Sequence, residues 1–317
     1  MDALSDLLRV VRLEGAYFYA VEAAEPWSIE SVPARELSPR IMPMAEHLIS
    51  YHILTGGRCF GGVVGEEQVE LNPGDVIVFP HGDPHVMSSG RGVRIGPDVN
   101  SNTPARYPYT VMLGQGKPVT SFVCGFLGCD RRPFNPLLAA LPHQLHMRGM
   151  STAWLATFTQ QVTEESRLGR AGADSVLIRL AEVMFIEVLR RYLDDLPQGQ
   201  TGWLAGLRDE VVGRVLTLLH RRPAYSWTLA DLARESASSR TSLTKRFTLL
   251  MGQPPMQYLT QWRMQLAASL LTQTGAKVAT IGAEVGYDSE AAFSRAFKKA
   301  TGLAPGAWRE LRRTARS

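Results

Sequence analysis

Cysteine is scarce in this chain, with three residues among 317. So few thiols exclude a disulfide-stapled scaffold and fit a reducing compartment. Long apolar runs are also lacking, because none approaches the roughly 18–20 residues of a membrane-spanning helix. Charged residues interrupt the N-terminal positions 1–13, and the apolar ones follow helical spacing, which argues against a secretory signal. These features predict a cytoplasmic protein with an amphipathic N-terminal helix and no membrane partner.

The length leaves room for about two domains, and charge is divided unevenly along it. Residues 209–317 contain 16 Lys and Arg against 8 Asp and Glu, whereas residues 1–208 contain 18 against 22. A basic segment joined to an acidic one indicates that only the C-terminal part meets a polyanion such as DNA. Charge alone leaves a solvated helical face as an equal alternative.

An internal repeat occupies the last hundred residues. The pattern at 232–247 returns at 281–297, and each copy reads as a helix, a short turn and a second helix begun by a serine. We expect the first helices to lie 49 residues apart and the second helices 50, because the second turn is one residue longer. A duplicated helix-turn-helix with a serine N-cap predicts a DNA-reading domain.

Each second helix should bury one stripe and expose the other. Two apolar residues four apart mark the buried stripe in both copies, namely Leu243 with Phe247 and Phe293 with Phe297. The outward side chains can contact base edges or methyl groups in the major groove. They are Arg240, Thr241, Thr244 and Lys245 in the first copy, and Glu290, Ala291, Ser294, Arg295 and Lys298 in the second. The alternative for each is a solvated polar position.

A single helix from about residue 256 to 271 is expected between the copies. It would fix the separation of the two recognition helices, which should be roughly 34 Å if both enter one face of the duplex.

The first half of the chain has a different pattern. Short apolar runs broken by Gly and Pro indicate a β-barrel or sandwich, and residues 90–118 are expected to form a long loop. Amphipathic helical segments follow at about 152–167 and 174–192, with a linker at 196–202. We therefore place a first domain at 1–150, a helical arm with linker at 151–202, and the DNA-binding domain at 203–317.

The C-terminal pattern resembles that of the AraC family of transcription regulators over about residues 209–309. The matching positions include Pro223, Trp227, Phe247, Gly252, Tyr258, Trp262, Arg263, Gly286, Phe293, Arg295, Phe297, Pro305 and Trp308. This resemblance implies binding to promoter DNA, with RNA polymerase as a further partner. The chain departs from the family at Ala237, where Gly is usual, at Lys277 and at Gly282. Ala237 implies a turn without positive φ, or strain if the turn requires it.

Residues 74–85 read GDVIVFPHGDPH. This stretch resembles the second cupin motif, and about residues 3–195 resemble the cupin-type sensor domain of one AraC subgroup. The resemblance implies a barrel that senses an effector, followed by helices often used for dimerisation. The expected fold class is thus α+β multidomain, with an N-terminal cupin-like β-barrel and helical arm and a C-terminal all-α domain with two helix-turn-helix motifs. A homodimer through residues 174–192 is expected if their apolar stripe needs a partner, but the barrel could equally cover that stripe.

Catalytic cupins generally hold a transition metal with an H-x-H pair, a Glu and the His of the second motif. Only His85 of this chain matches that set, because His47 and His52 are five residues apart and should point to opposite faces of a strand. We therefore expect no catalytic residue and no enzyme. The alternative is a cupin metalloenzyme fused to a DNA-binding tail. His85, His81 and His52 remain candidates for an effector site.

Cys59, Cys124 and Cys129 leave three hypotheses open. With a His they would make a zinc site, with a lowered pKa and solvent access they would sense oxidants, and buried they would act as small apolar residues. Cys124 and Cys129 bracket a predicted four-residue turn; on an unbent strand they would face opposite ways. The sequence thus predicts a DNA-binding regulator controlled by a small-molecule effector or a thiol change, with zinc as a possible cofactor.

Overall fold

The computed structural model describes residues 2–11, 13–43, 45–94, 110–129, 133–149, 152–168, 170–197 and 199–314. The chain divides into two compact units. The first, termed the helical unit, consists of Met1–Arg12, Asp130–Ala140 and Asp195–Ser317, and the second, termed the sheet unit, consists of Leu13–Cys129 and Leu141–Asp194.

The helices of the described residues are α1 (Ala3–Val10), α2 (Ala34–Ile41), α3 (Pro136–Ala140), α4 (Thr152–Leu168), α5 (Ala173–Asp194), α6 (Trp203–Arg208), α7 (Glu210–Arg221), α8 (Leu229–Glu235), α9 (Arg240–Met251), α10 (Pro255–Gln273), α11 (Val278–Glu284), α12 (Glu290–Thr301) and α13 (Pro305–Thr314). The strands are β1 (Leu13–Ala23), β2 (Ser28–Ser31), β3 (His47–Gly56), β4 (Cys59–Val63), β5 (Val69–Leu71), β6 (Val76–Phe79), β7 (His85–Ser88), β8 (Thr110–Leu113), β9 (Thr120–Cys129) and β10 (Leu145–Met147).

The described strands of the sheet unit form two sheets. One has the strand order β10-β6-β3-β9-β1-β8 and the other β2-β7-β4-β5. Alternate side chains of β9, namely Phe122, Cys124 and Phe126, join one core with Cys59 of β4 and Met87 of β7. Because those strands belong to different sheets, the core lies between the sheets, as side-chain alternation along a strand requires.

Helix α5 packs on β1, β10 and α4. The apolar stripe predicted for this helix, represented by Leu177, Met184 and Val188, is almost completely buried. The sheet of the same unit therefore covers the stripe, which was one of the two alternatives. The argument that the stripe needs a second subunit is wrong, while the dimer itself stays a prediction.

The repeat is regular in the helical unit. Helices α8 and α11 have 7 residues each and begin 49 positions apart, and α9 and α12 have 12 residues each and begin 50 apart. Ser239 and Ser289 each accept a hydrogen bond from the backbone N–H three residues on. Gly252 and Gly302, with φ of 70° and 79°, end the same two helices. Local capping chemistry therefore sets both limits of each second helix, and the predicted fold class is confirmed.

The two units do not follow the domain limits expected from sequence. Helix α1 buries Ala3 and Leu7 and packs on α7 and α10 of the helical unit. The segment at 133–140 joins the same unit, because the Phe134 N–H donates to Gln265 Oε1 at 3.0 Å and the Phe134 ring lies edge-on to Tyr258. Two stretches of the predicted first domain thus pack with the C-terminal helices. The division at 1–150, 151–202 and 203–317 as functional domains remains a prediction.

Two local predictions need correction. The loop expected at 90–118 contains β8, which pairs in parallel with β1, while its residues 95–109 lie outside the described ones. The turn expected between Cys124 and Cys129 is instead part of the continuous strand β9. That strand pairs with β1 on one side and β3 on the other, so its glycines are held in the ladder.

Candidate DNA-binding surface and sensor core

Helix α9 shows the expected division into a buried and an exposed face. Leu243 and Phe247 are fully buried, while four predicted contact residues lie together on an open groove of about 790 Å³. That groove is lined by Arg240, Thr241, Thr244 and Lys245, and also by Leu229, Thr248 and Leu249. The last three were missed, although Thr248 and Leu249 follow Thr244 and Lys245 at the four-residue helical spacing.

The chemistry of this groove is mixed. Arg240, Thr241 and Lys245 are exposed and offer donors to bases or phosphates. The hydroxyl of Thr244 donates to the Arg240 carbonyl at 2.9 Å, so its methyl group and oxygen lone pairs remain for a partner. Leu249 is 68% exposed at the edge of the groove and adds an apolar contact.

Helix α12 repeats the arrangement. Phe293 and Phe297 are fully buried in a cluster that includes Trp308. Glu290, Ala291, Arg295 and Lys298 are exposed and Ser294 is half-buried. The structure therefore places all nine predicted DNA-contact residues on the outward sides of α9 and α12, and their contacts with DNA stay a prediction.

The turn before α9 is strained. Ala237 has φ of 51°, which is the left-handed region that a non-glycine residue enters at a cost of roughly 1–2 kcal/mol. The conformation is held because the Ser238 N–H donates to the Ala233 carbonyl and the Ser236 hydroxyl donates to the Leu232 carbonyl. Of the two outcomes considered for Ala237, the strained one is observed.

A buried polar network lies beneath α9. Tyr258 of α10 contacts the edge of the Phe247 ring, and its hydroxyl accepts a hydrogen bond from Trp203 Nε1 at 2.8 Å. The same hydroxyl lies 2.7 Å from His220 Nε2, and the His220 ring stacks on Trp262. Burial lowers the pKa of His220 to about 3 and raises the pKa of Tyr258, so both side chains are neutral near pH 7.

Three of the predicted sensor residues meet in the core of the sheet unit. His52 Nδ1 lies 2.8 Å from Cys124 Sγ, and His52 Nε2 lies 2.9 Å from His85 Nε2. His85 Nδ1 lies 2.9 Å from the Asp83 carbonyl oxygen, which can only accept. His85 therefore donates through Nδ1 and accepts through Nε2 from His52, whose Nδ1 in turn accepts from the Cys124 thiol. Every donor in this chain has an acceptor when both rings are neutral and the thiol is protonated.

The electrostatics of the core agree with that proton arrangement. Burial lowers the pKa of His52, and burial lowers the pKa of His85 to about 4 despite the opposing bond to Asp83. Burial raises the pKa of the Cys59 thiol to about 12, with a further contribution from the charge of Asp75, and burial also raises the pKa of Cys124. Neither of these two thiols is a thiolate at neutral pH.

Cys59 lies in the same core as Cys124, whereas the other two predicted sensor residues lie elsewhere. His81 Nε2 donates to the Leu141 carbonyl at 2.9 Å, and its ring is beside that of His143. Cys129 is buried at the end of β9, five positions from Cys124, and the pairing of β9 with β3 has no register shift between the two, so Cys129 faces the other side of the sheet. Within the described ranges no three His, Cys, Asp or Glu side chains are grouped to hold a metal ion, so the zinc hypothesis gains no support.

No helix in the described part of the chain is both long and apolar enough to cross a bilayer.

Similarity to known proteins extends over almost the whole chain. The family profile described as cupin matches residues 2–194, and the one described as helix-turn-helix domain matches residues 232–311. An AraC-like transcription regulator of Streptomyces lividans is 33% identical, and the similarity covers 98% of each chain. A second one, from Streptomyces antibioticus, is 32% identical over 98% of this chain and 99% of its own. The transcriptional regulator AlkR of Acinetobacter baylyi is 27% identical with the same two coverages.

Proposed function

Because this chain belongs to the AraC-like transcription regulators, with a cupin domain ahead of its helix-turn-helix domain, we propose that α9 and α12 are its two recognition helices. Each enters the major groove of promoter DNA with its outward face. The protein is a DNA-binding regulator of transcription, and the resemblance drawn from sequence is confirmed. RNA polymerase is the further partner that we expect at the promoter.

The observation that carries this assignment is the duplicated geometry. Two helices of equal length, capped alike at both ends, bury the same aromatic position and expose polar side chains near their N-termini. Arg295 can grip guanine through two hydrogen bonds, Glu290 can accept from the cytosine amino group, and Ala291 can touch a thymine methyl. On α9, Arg240 and Lys245 supply the positive charge that attracts the phosphate backbone.

Replacement of Arg295 tests the assignment. DNA selected from a random pool by the purified protein gives the preferred site, and binding is then titrated at two salt concentrations. We expect Arg295→Ala to cost about 1–3 kcal/mol and to relax the preference at one base pair. Arg214→Ala removes the same charge from an exposed position on α7 and should leave the base preference unchanged.

Two results would contradict these roles. A loss that is equal on every sequence would make Arg295 a phosphate contact, and it should then lower the salt slope. If Arg295→Ala binds with the affinity and base preference of the unaltered protein, the proposal that α12 enters the major groove is wrong.

For the signal, we propose a small-molecule effector and not a thiol change. The support is that burial raises the pKa of both Cys124 and Cys59, and that a protonated Cys124 thiol fits the hydrogen-bond chain through His52 and His85. The same titration is repeated with a reductant, an oxidant and a zinc chelator. Binding should be indifferent to all three, whereas a response to the oxidant would restore the cysteines as the switch.

We assign no reaction to the cupin domain. The curated relatives are transcription regulators, and both nitrogens of His52 are engaged by Cys124 and His85. His47 lies 2.6 Å from the Pro80 carbonyl oxygen and is five positions from His52 on β3, so the two cannot act as an H-x-H pair. The histidine nitrogens that a metalloenzyme would use as ligands are thus already engaged in these contacts.

We also propose a homodimer through the outer face of α5. Val176 and Val183 are 40% and 50% exposed, although the opposite face of the helix is buried. If a second α5 runs antiparallel with Val183 at the two-fold axis, Arg179 of each copy lies opposite Glu187 of the other. Such a face is complementary to itself, which is what an isologous contact requires.

A further inference from the structure

The side chain of Arg263 connects the two helix-turn-helix motifs. It projects from the middle of α10, where it is half-buried, and it donates three hydrogen bonds to backbone carbonyls. Nε donates to Pro223 at 2.7 Å and Nη2 donates to Tyr225 at 3.0 Å. Nη1 donates to Gly286 at 3.3 Å. The planar guanidinium offers donors in fixed directions, so these three acceptors are held in one geometry.

The three acceptors come from different motifs. Pro223 and Tyr225 lie in the loop that leads from α7 into α8, which is the first helix of the first motif. Gly286 begins the turn between α11 and α12, just before the serine that caps the second recognition helix. The side chain of Arg263 therefore links the loop that precedes the first motif to the turn within the second motif by hydrogen bonds.

The loop before α8 and the turn before α12, which Arg263 links, are each held by further contacts. In the first, the Trp227 indole donates to the Arg222 carbonyl, and the Arg222 guanidinium lies over the rings of Tyr225 and Trp227. In the second, the Gly286 and Tyr287 N–H groups both donate to carbonyls of α11. A displacement of the loop or the turn is thus passed on to the helices that follow, because neither segment can absorb it.

Gly286 shows how closely the segments approach. Its φ is 87°, and a Cβ at this position would lie 2.8 Å from Ala224 Cα and 2.8 Å from Arg263 Nη2. Only glycine provides both the left-handed backbone and the room for this contact. The contact between the two motifs is therefore made by backbone against backbone, with Arg263 at its side.

We propose that Arg263 is the positioning residue that sets the spacing between the two recognition helices and hence the half-site spacing that the protein accepts. If helix α10 were the whole connection, only packing would restrain the rotation of one motif relative to the other about the helix axis. The hydrogen bonds of Arg263, at the middle of the helix, remove that freedom. The inference rests on the proposed roles of α9 and α12, and it concerns how their two half-sites are matched together.

The test uses the full-length protein and the DNA that it selects from a random pool. From that DNA a series is made in which one to three base pairs are inserted between or removed from the half-sites, and dissociation constants are measured by fluorescence anisotropy. One inserted base pair shifts the second half-site by about 3.4 Å and rotates it by roughly 34°, so we expect about tenfold weaker binding by the unaltered protein. For Arg263→Gln, the same insertion should weaken binding about threefold or less.

Arg309 provides a matched control. It also donates from α13 to two backbone carbonyls, those of Leu271 and Ala276, but both belong to the second half of the helical unit. Arg309→Gln therefore removes two bonds of the same kind without touching the first motif. It should keep the steep dependence on spacing, even if its thermal stability falls as much as that of Arg263→Gln.

Three contrary results are distinguishable. An Arg263→Gln protein with the spacing profile of the unaltered one would overturn the inference. If that variant does not fold, Arg263→Lys decides in the same way, because it keeps the charge and the aliphatic stem but cannot bond three carbonyls at once. An unaltered protein that tolerates inserted base pairs would overturn the inference without any variant. Selected DNA with a single half-site would refute the roles of α9 and α12. Selected DNA with two half-sites, together with an unchanged dependence of Arg263→Gln on their spacing, would refute only the role of Arg263.

Discussion

Replacement of His220 by phenylalanine should remove much of the acid sensitivity of the helical unit. His220 is 5% exposed, its Nδ1 has no partner in the described structure, and burial holds its pKa at about 3. The folded protein therefore keeps the ring neutral well below the pH at which an unfolded chain protonates it. Phenylalanine preserves the stacking on Trp262 and cannot titrate.

The sign and the size follow from linkage. Because the folded pKa of His220 is depressed, its contribution to stability is present above the unfolded pKa of about 6.5 and is lost as the pH falls toward the folded pKa. Between about pH 7.5 and pH 5.5 the unfolded ring gains most of a proton and the folded ring gains almost none. The free energy of unfolding should fall by about 1.4 kcal/mol from this residue alone.

Urea unfolding at these two pH values, followed by tryptophan fluorescence, measures the effect. Four of the six tryptophans belong to the helical unit, and two of them, Trp203 and Trp262, lie around His220, so the signal includes the unfolding of that unit. Between the two pH values, the free energy of unfolding should fall by about 1.4 kcal/mol more in the unaltered protein than in His220→Phe. An identical loss in both proteins would refute the reasoning, because it would mean that His220 titrates alike in the folded and unfolded chains.

The other predictions concern the turn and the dimer. Ala237→Gly should stabilise the protein by about 0.5–1 kcal/mol, because relief of the left-handed strain exceeds the entropy that glycine adds to the unfolded chain. Ala300→Gly in the exposed part of α12 should instead destabilise it by roughly 0.5–1 kcal/mol, and equal effects in urea unfolding would contradict the strain. Val183→Glu and Arg179→Glu should each shift the dimer to monomer in analytical ultracentrifugation. Adding Glu187→Arg to Arg179→Glu should restore it, and an unaltered protein that is monomeric throughout would refute the interface.

The helical unit was predictable because its signals are local. Serine N-caps, glycine C-caps and an aromatic stripe with a four-residue period each depend on a few neighbouring residues, and they recur in two copies. Even the departure at Ala237 could be anticipated as a choice between two outcomes. The sequence left that choice open, because only the backbone of the finished turn shows that positive φ is required.

The sensor core was less predictable because it depends on register. Alternation along a strand says which residues share a face, but it does not say which residue of another strand stands opposite. The ladder pairs His52 of β3 with Cys124 of β9, and their side chains then meet. His85, which begins β7 in the other sheet, completes the chain across the core. The sequence grouped these residues with His81, which bonds elsewhere, and their part in an effector site stays a prediction.

The extent of the helical unit bears on any experiment that shortens the chain. Gln265 is 1% exposed and accepts a hydrogen bond from the Phe134 N–H, and the Phe134 ring lies against Tyr258. A fragment that begins at residue 203 lacks this partner, and it also lacks α1, which packs on α7 and α10. In that fragment Gln265 and Tyr258 would no longer have these contacts. A loss of DNA binding could then come either from the lost packing or from the absence of the sensor. A shortened protein therefore cannot separate the sensor from the DNA-binding domain, whereas substitutions at single positions of the intact chain can.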